Sequence, residues 1–325
     1  MKAIHLHARG GPEQLFYEDA PKPQLTPGDA LVHVCACAVT PTELNWTETY
    51  TTQDGASRLP SVPGHELCGI VEDVASDAGS LKIGDQVYGL CDFWRDGAAA
   101  DYVAVRAANL APKPGNLNFV QAAALPLASL TAWQALFDHA GLRPGDEILI
   151  HGATGGVGSL AVQLAHWRGA FVVATTSAQN VALAAKLGAD KVIDYTSLLF
   201  EDYVRDADVV LDTVGGETLE RSWHVVRSGG MVVSIVDRIP EDKPARHGAH
   251  GEFFIVEPNR RELMEITRLV EAGKLRPIVE ATFPLEEARE AFERGAGGHN
   301  RGKIVLQVAS DNARDQDPFV PQKAA

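Results

Sequence analysis

Residues 147–177, EILIHGATGGVGSLAVQLAHWRGAFVVATTS, decide the fold, because they combine a strand, a glycine-rich turn, a helix and a second strand. The apolar run 148–150 is short, as in a parallel strand that is covered on both faces. The helix is predicted over residues 157–167 and the second strand over 171–175. This order predicts the first half of a nucleotide-binding unit.

The turn ATGGVG at 153–158 has the spacing of the dinucleotide fingerprint, with alanine at its first position. Gly155 would let the backbone approach a pyrophosphate closely, and Gly158 would let the helix pack on the strand. The N–H groups at the start of the helix favour negative charge. We therefore expect Gly155, Gly156 and Val157 to contact a dinucleotide. The alternative is a purely structural turn.

Composition limits the possible functions. A chain of 325 residues is long enough for two domains, and its 45% hydrophobic and 22% charged residues are ordinary for a globular protein. The net charge of −14 disfavours nucleic acid and anionic membranes as partners. No apolar run reaches the roughly 18 residues of a membrane span, and no secretory signal is seen at the N-terminus. Four cysteines without a CxxC pair fit a reducing compartment, so we expect a cytoplasmic protein.

The chain pattern changes after its first third. Residues 1–120 contain short strand-like segments and Gly-Asp or Pro-Gly turns, which favour a barrel-like or sandwich domain. A helical period begins at Ser129. From residue 143, strands alternate with helices, which predicts an α/β domain with a doubly wound parallel sheet. Residues 239–251 are predicted to be a mobile loop, and 253–256 a strand.

Several stretches together resemble the medium-chain dehydrogenase/reductase superfamily. They are PGHE at 63–66, KIGDQV at 82–87, LPLASLTAW at 125–133, the glycine turn, LGAD at 187–190, VIDY at 192–195 and HNRGKIV at 299–305. Within the superfamily the chain is most similar to zinc-free, NADPH-dependent quinone oxidoreductases. The resemblance covers about residues 1–308.

The resemblance implies the domain organisation. We expect a GroES-like β-barrel catalytic domain built from residues 1–120 and 275–310, with an inserted Rossmann domain over 121–274 that binds NADP(H). Residues 311–325 are expected to form a polar C-terminal tail. Family members commonly form dimers or tetramers, and we expect a homodimer here.

The resemblance also bears on zinc. Zinc alcohol dehydrogenases of this superfamily hold catalytic Zn²⁺ with a cysteine, the histidine of the GHE motif and a third cysteine or acidic ligand. His65 is present, but Thr40 stands at the position of the first ligand and Leu127 at that of the third. We therefore expect no metal. Cys35 and Cys37 share one face of a strand and are expected in the core, although Cys37 is an alternative ligand beside His65.

NADPH is the expected cofactor. An NAD-preferring Rossmann domain carries a carboxylate about twenty residues beyond the glycines, but here the second strand ends at Ser177. Ser177 can donate to a 2′-phosphate, or it can cap a helix. The resemblance places Tyr195 beside the adenosine phosphate, and Asn180 where many relatives have lysine. Arg301 is the candidate positive partner, and Lys186 is a weaker candidate.

Other cofactor contacts are expected at strand ends. Val214 and Ile235 should line the ribose and nicotinamide, because ligands bind at the carboxyl ends of parallel strands. The segment that starts at Phe253 would offer backbone groups to the carboxamide, with core packing as the alternative role of its side chain. By resemblance, Thr131 lies near the nicotinamide.

Without a metal, hydride transfer needs an acceptor that is already electrophilic, such as a quinone or a C=C bond conjugated to a carbonyl. Thr40, where relatives often carry asparagine, could donate to the substrate carbonyl. Trp46 and Tyr50 could line an apolar pocket, or could belong to an ordinary surface loop. Together with Thr131, Thr40 and Trp46 are the predicted catalytic residues. Nearby acids are expected to be solvated charges: Glu43, Asp92 and Asp96.

The sequence therefore predicts an NADPH-dependent reductase of a small quinone or enone. One alternative is a protein that binds NADPH without catalysis. A zinc-dependent alcohol dehydrogenase is the other.

Overall fold

The computed structural model describes residues 1–298 and 300–309. His299 and the predicted tail at 311–325 lie outside the described residues. The strands are β1 (Lys2–Leu6), β2 (Leu15–Asp19), β3 (Asp29–Val39), β4 (Glu66–Val74), β5 (Gln86–Leu90), β6 (Tyr102–Arg106), β7 (Leu110–Pro112), β8 (Glu147–Ile150), β9 (Phe171–Thr176), β10 (Lys191–Asp194), β11 (Ala207–Asp212), β12 (Val226–Ser234), β13 (His250–Phe253), β14 (Val279–Pro284) and β15 (Lys303–Gln307).

The helices are α1 (Phe119–Ala123), α2 (Pro126–Trp133), α3 (Gly156–Arg168), α4 (Val181–Leu187), α5 (Gly216–Ser222), α6 (Lys243–Arg246), α7 (Arg260–Glu271) and α8 (Ala288–Ala296). Short 3₁₀ turns lie between them, including Pro41–Asn45. No helix in the described ranges is both long enough and apolar enough to cross a membrane.

The described chain divides into two compact units. The first comprises Met1–Pro126, Ala281–Gly298 and the chain from Ile304, and the second comprises Leu127–Glu280 with residues 300–303. The first boundary was predicted after residue 120, but α1 packs against β3 and β4 and so belongs to the first unit. The return to the first unit falls at residue 281 rather than 275.

The first unit is built around β3. This strand is buried along most of its length and pairs antiparallel with β4, β6 and β15. The sheet order is β14-β15-β3-β4-β5-β7, and β1 and β2 form a separate antiparallel pair. The sequence analysis did not identify β2, β5 or β7, because three to five residues are too few to show a clear period.

A buried ion pair fixes the start of β3. Asp29 is fully buried, and each of its carboxylate oxygens accepts a hydrogen bond of 2.8 Å from the guanidinium of Arg95. The backbone N–H and hydroxyl of Thr26 donate to the same carboxylate at 3.0 and 2.6 Å. Burial alone would raise the pKa of Asp29, but the bonds from Arg95 and Thr26 outweigh it and hold that pKa below its usual range.

The second unit is a six-stranded sheet of order β10-β9-β8-β11-β12-β13 with parallel pairing throughout. This confirms the predicted doubly wound parallel sheet. The order reverses between β8 and β11, so a crevice is expected at the carboxyl ends of these two strands. The buried runs ILI in β8 and VVL in β11 explain the pairing, because central parallel strands are covered on both faces.

Three predictions of local structure in the second unit were wrong. Residues 239–251 are not simply a loop, since they contain α6 and the start of β13. Ile239 packs beside the core there, and Gly251 lies so close to Trp223 that a Cβ would come within 2.6 Å of its ring. The strand predicted at 253–256 is instead β13, which ends at Phe253. The helix expected from Ser129 begins earlier, since α2 starts at Pro126. Proline suits the first position of a helix and does not interrupt it there.

His151 follows β8 and is buried inside the second unit. Its Nδ1 lies 3.0 Å from Thr175 Oγ1, and its Nε2 lies 3.0 Å from Ser222 Oγ. Burial lowers its pKa to about 3, with the positive charge of Arg221 acting in the same direction. The ring is therefore a neutral, hydrogen-bonded link between β9 and α5.

Candidate active site

The glycine turn lies between β8 and α3 at the carboxyl edge of the parallel sheet. Gly152 adopts a φ of 64°, and a Cβ on Gly158 would lie 2.2 Å from the carbonyl oxygen of Gly152. Glycine at position 158 is therefore what lets the helix pack on the turn. Gly155 caps α3 without a side chain. The first-turn N–H groups of α3 have no acceptor within the helix and are suited to a phosphate.

Two neighbouring predicted residues at the end of β9 meet a third from a distant part of the sequence. The amide nitrogen of Asn180 donates to Ser177 Oγ at 3.2 Å, and Arg301 Nε donates to Asn180 Oδ1 at 2.5 Å. The Ser177 side chain makes no capping hydrogen bond to the following turn. The exposed guanidinium of Arg301 is thus held beside the serine that replaces the carboxylate of an NAD-preferring domain.

Tyr195 lies close to the same edge. Its backbone N–H donates to the carbonyl oxygen of Thr176, at the end of β9, at 3.1 Å. Tyr195 is 49% exposed, so its ring is accessible to a ligand at this edge. The end of β9 therefore presents a polar pair, a cation and an exposed ring together.

The ends of β11 and β12 are organised by a buried carboxylate. Asp212 Oδ1 accepts from the backbone N–H groups of Val214 and Gly215 at 3.1 and 2.9 Å. Its Oδ2 accepts from Ser234 Oγ at 2.8 Å. Val214 is 51% exposed, and Ile235 is partly exposed after β12. The sequence analysis did not assign a role to Asp212, although an acid that ends an apolar strand before Thr-Val-Gly-Gly was a usable signal.

Phe253 and Thr131 belong to the same unit. Phe253 ends β13, is partly buried, and lies under the guanidinium of Arg238 at 5.1 Å from its ring centroid. Thr131 is buried in α2, and its hydroxyl donates to the carbonyl oxygen of Leu127 at 2.7 Å. The oxygen of that hydroxyl still has lone pairs that could accept a hydrogen bond from a ligand.

In the first unit, Thr40 precedes the turn Pro41–Asn45 and its hydroxyl donates to Glu66 Oε1 at 3.3 Å. Glu43 is fully buried, so the prediction that it is a solvated charge was wrong. Its Oε2 forms hydrogen bonds with His65 Nδ1 at 2.8 Å and with the backbone N–H of Gly64 at 2.9 Å. Glu43 is buried because it is the partner of the buried His65, a pairing that spacing in the sequence does not reveal.

The ring of His65 is enclosed by two aromatic side chains. Trp46 and Phe93 lie 5.9 and 5.2 Å from it, centroid to centroid, and 5.3 Å from each other. Within residues 1–298 and 300–309, His65 Nε2 and Glu43 Oε1 are buried without a hydrogen-bond partner. A polar atom left in this state is a place where a water molecule or a ligand atom would be stabilised.

Tyr50 occupies a different environment from Trp46. Its hydroxyl donates to the carbonyl oxygen of Leu44 at 2.6 Å, and the guanidinium of Arg9 lies 4.7 Å from its ring centroid. It lines a groove of about 390 Å³ in the first unit, with Leu44, Asn45 and Phe292 among the other lining residues. The two aromatic residues predicted to share one pocket therefore line separate surfaces.

The cysteines are core residues. Cys35 and Cys37 both lie on β3 and are buried. Cys37 packs so close to Gly64 that a Cβ there would lie 2.5 Å from its Sγ. Burial raises the pKa of Cys91 to about 12, so its thiol is protonated at neutral pH in this environment.

Two family models match the chain. The model described as an alcohol dehydrogenase GroES-like domain matches residues 26–115, and the model described as a zinc-binding dehydrogenase matches residues 187–306. The first match falls on the unit built around β3. The predicted fold class, a GroES-like domain with a Rossmann-type parallel sheet, is confirmed.

Individual proteins are similar over almost the whole chain. A probable zinc-binding mitochondrial oxidoreductase of Arthroderma benhamiae is 35% identical over 305 residues, which cover 89% of this chain and 91% of that protein. A chloroplastic NADPH-dependent alkenal/one oxidoreductase of Arabidopsis thaliana is 35% identical and covers 94% of this chain and 79% of its own length. The solved quinone oxidoreductase of Coxiella burnetii is 33% identical with a TM-score of 0.86, over 95% of this chain and 99% of that one.

Proposed function

This chain belongs to the medium-chain dehydrogenase/reductase superfamily of oxidoreductases, and we propose that it reduces quinones or α,β-unsaturated carbonyls with NADPH and without a metal ion. The relatives point to a nicotinamide cofactor and a small-molecule substrate. Three parts of the proposal go beyond what the relatives indicate: the choice of NADPH, the class of acceptor and the absence of a metal.

The observation that carries the proposal is the line of contacts from Arg301 through Asn180 to Ser177. A 2′-phosphate carries a charge that only NADPH has, and the guanidinium of Arg301 is a suitable bidentate partner for it. No carboxylate side chain stands at position 177, where an acid would bond the ribose hydroxyls of NADH and repel the phosphate. The residues at this edge therefore fit NADPH.

The rest of the second unit fits the remaining parts of the cofactor. The N-terminus of α3, opened by Gly155, Gly156 and Val157, would bind the pyrophosphate. Val214 and Ile235 would line the ribose and nicotinamide, in a loop geometry held by Asp212. When bound, NADPH supplies a hydride from its nicotinamide ring.

The residues at the three ligand positions that the family resemblance indicates do not fit the zinc of the family's alcohol dehydrogenases. A tetrahedral catalytic site needs three protein ligands. His65 is one candidate, but Thr40 carries a neutral hydroxyl that already donates to Glu66, and Leu127 has no ligand atom in its side chain. The description "zinc-binding" in a relative's name refers to that relative.

The acceptor follows from this set of groups. A threonine hydroxyl polarises a carbonyl much less than Zn²⁺ does, so the acceptor must be activated by its own conjugation. We propose that Thr40 turns its hydroxyl from Glu66 to the acceptor's carbonyl oxygen, and that Trp46 offers a flat apolar surface to the conjugated system. A proton for the reduced product can come from solvent.

The test is a panel of acceptors with untagged protein, in which NADPH oxidation is followed for a quinone, an enone and a saturated ketone. We expect turnover with the quinone or the enone and none with the saturated ketone. Thr40→Val should lower kcat/KM by roughly tenfold, the worth of one hydrogen bond to a developing charge, with unchanged NADPH affinity. The matched control is Thr47→Val at an exposed threonine nearby.

Two results would overturn the proposal. Tight NADPH binding without turnover on any acceptor would indicate a protein that binds the cofactor but does not catalyse. Reduction of the saturated ketone would indicate an alcohol dehydrogenase that polarises its substrate with a metal.

A further inference from the structure

The hairpin of β1 and β2 carries two histidines and a glutamate on one face. His5 lies on β1, and His7 follows the end of that strand, two residues further along the chain. Glu18 lies on β2, whose register places it opposite Ala3, two pairs away from His5 and on the same face of the hairpin. The three side chains thus share the surface of a two-stranded antiparallel pair, and nothing in the proposed reaction uses them.

Their ligand-type atoms already converge on one point. His5 Nδ1 and His7 Nε2 each lie 2.7 Å from the same oxygen, Glu18 Oε1. All three atoms are within 4.8 Å of one another. The ring of His7 also packs edge-on against Phe16 at 5.5 Å, which restricts its orientation. Little side-chain entropy would be lost in fixing this arrangement further.

The donor set has a definite chemical preference. Two imidazole nitrogens and a carboxylate oxygen suit Zn²⁺, Cu²⁺ or Ni²⁺, and suit Ca²⁺ or Mg²⁺ poorly. Ligand atoms about 2.0–2.2 Å from Zn²⁺ are about 3.3 Å apart in a tetrahedral site. The present 2.7 Å contacts would therefore need to open by only about half an ångström.

We infer that His5, His7 and Glu18 form a surface binding site for a divalent transition-metal ion, with Zn²⁺ as the expected occupant and water completing its coordination. The side chains are 12%, 46% and 39% exposed, so an ion can enter from solvent without a change in the barrel core. The ion would take the place of the two ring N–H protons that now point at Glu18. It would join the two strands of the hairpin.

The alternative is a hydrogen-bonded cluster with no metal function. The bonds from His5, and then from His7, lower the pKa of Glu18, so its carboxylate is present in either case. Hydrogen bonds from the two rings to one carboxylate oxygen are enough to explain a cluster of this kind without a metal. The metal site and the metal-free cluster differ in one expectation. Removing a single ligand changes the metal affinity of the protein only if the three residues bind the ion.

The site also changes how metal content should be interpreted. It lies on the β1–β2 hairpin, whereas His65 adjoins β4, so zinc found in the purified protein would not identify a catalytic zinc. The inference does not depend on the proposed function. The metal site and the proposed function can each be rejected without the other, because metal affinity and NADPH oxidation are separate measurements.

The test is calorimetric titration of the untagged, chelator-treated chain with ZnCl₂, and then with NiCl₂. We expect one ion per chain. His7→Ala and Glu18→Ala should each weaken binding by at least about tenfold, since each removes one of three protein ligands. The matched control is His224→Ala, at an exposed histidine whose ring contacts His247 rather than this cluster.

Folding of each variant is checked by circular dichroism and by NADPH affinity, which should be unchanged. The inference is overturned if the double variant His5→Ala/His7→Ala binds zinc as the wild type does. It is also overturned if His65→Ala abolishes zinc binding while the hairpin variants retain it. Cobalt substitution gives a second readout, because the visible absorption of bound Co²⁺ should disappear in His7→Ala.

Discussion

At the scale of single residues, the proposed preference for NADPH depends on one positive charge. Arg301 is brought to the end of β9 by a hydrogen bond to Asn180, which in turn bonds Ser177. Its backbone is held separately, since the Arg301 N–H donates to a carboxylate oxygen of Glu280 at 2.8 Å. Substitution of the side chain should therefore remove the charge without moving the chain.

Arg301→Gln should raise the dissociation constant of NADPH by roughly tenfold or more, because a hydrogen bond to a charged group contributes about 1.5–3 kcal/mol. The dissociation constant of NADH should stay the same. Titration of tryptophan fluorescence with each cofactor measures both values. Arg205→Gln, at an exposed cation just before the start of β11, serves as the control. An equal loss for NADH and NADPH would show that Arg301 does not bind the 2′-phosphate.

Sequence reasoning identified most residues of this edge but not their contacts. Ser177, Asn180 and Arg301 were proposed on separate grounds, and the structure places them in one line. The role of Asp212 and the burial of Glu43 were missed. Both depend on partners distant along the chain, Ser234 and His65, and a local pattern carries no signal for such pairs.

At the scale of elements, the hydrophobic pattern predicted the parallel sheet well. Runs such as ILI and VVL are short and apolar and alternate with helices, which leaves few other arrangements. The short strands of the first unit were harder, because their partners rather than their own sequences define them. The segment 239–251 is polar in composition, yet it contains α6 and leads into the edge strand β13.

Stability of the second unit should depend on pH through His151. The ring is neutral in the folded state, with a pKa of about 3, against an ordinary value of 6.5. Below the ordinary value the unfolded chain binds more protons, so the free energy of unfolding should fall as the pH falls from 6.5 towards 3, by about 1.4 kcal/mol per pH unit.

Urea unfolding across this pH range, followed by fluorescence, measures the slope. His151→Gln keeps a polar side chain that does not titrate, so its slope should be smaller by that amount. If the variant and the wild type lose stability in parallel, His151 is not the group that responds.

The start of β3 should depend on the buried pair of Asp29 and Arg95. Asp29→Ala leaves the partly buried guanidinium without its carboxylate and should lower the free energy of unfolding of the first unit by about 3–5 kcal/mol. Asp19→Ala is the matched control, because its pair with Lys2 is exposed and should contribute only about 0–1 kcal/mol. Urea unfolding measures both, and similar losses in the two variants would contradict this account.

At the scale of the whole molecule, two units with different chemistry lie in one chain. The second presents the crevice of a doubly wound sheet, with residues suited to NADPH. The first presents Thr40, Glu66 and an aromatic cage around His65, with no set of three ligands at that place among the described residues. The expected homodimer stays a prediction.

The central claim is that hydride transfer in this protein needs no metal. The direct measurement is the rate of NADPH oxidation with a quinone before and after removal of bound metal by a chelator, with metal content determined by mass spectrometry. The account predicts the same rate in the metal-depleted protein, even where zinc has been removed from the hairpin site. A rate that is lost with the metal and restored by added Zn²⁺ would contradict it.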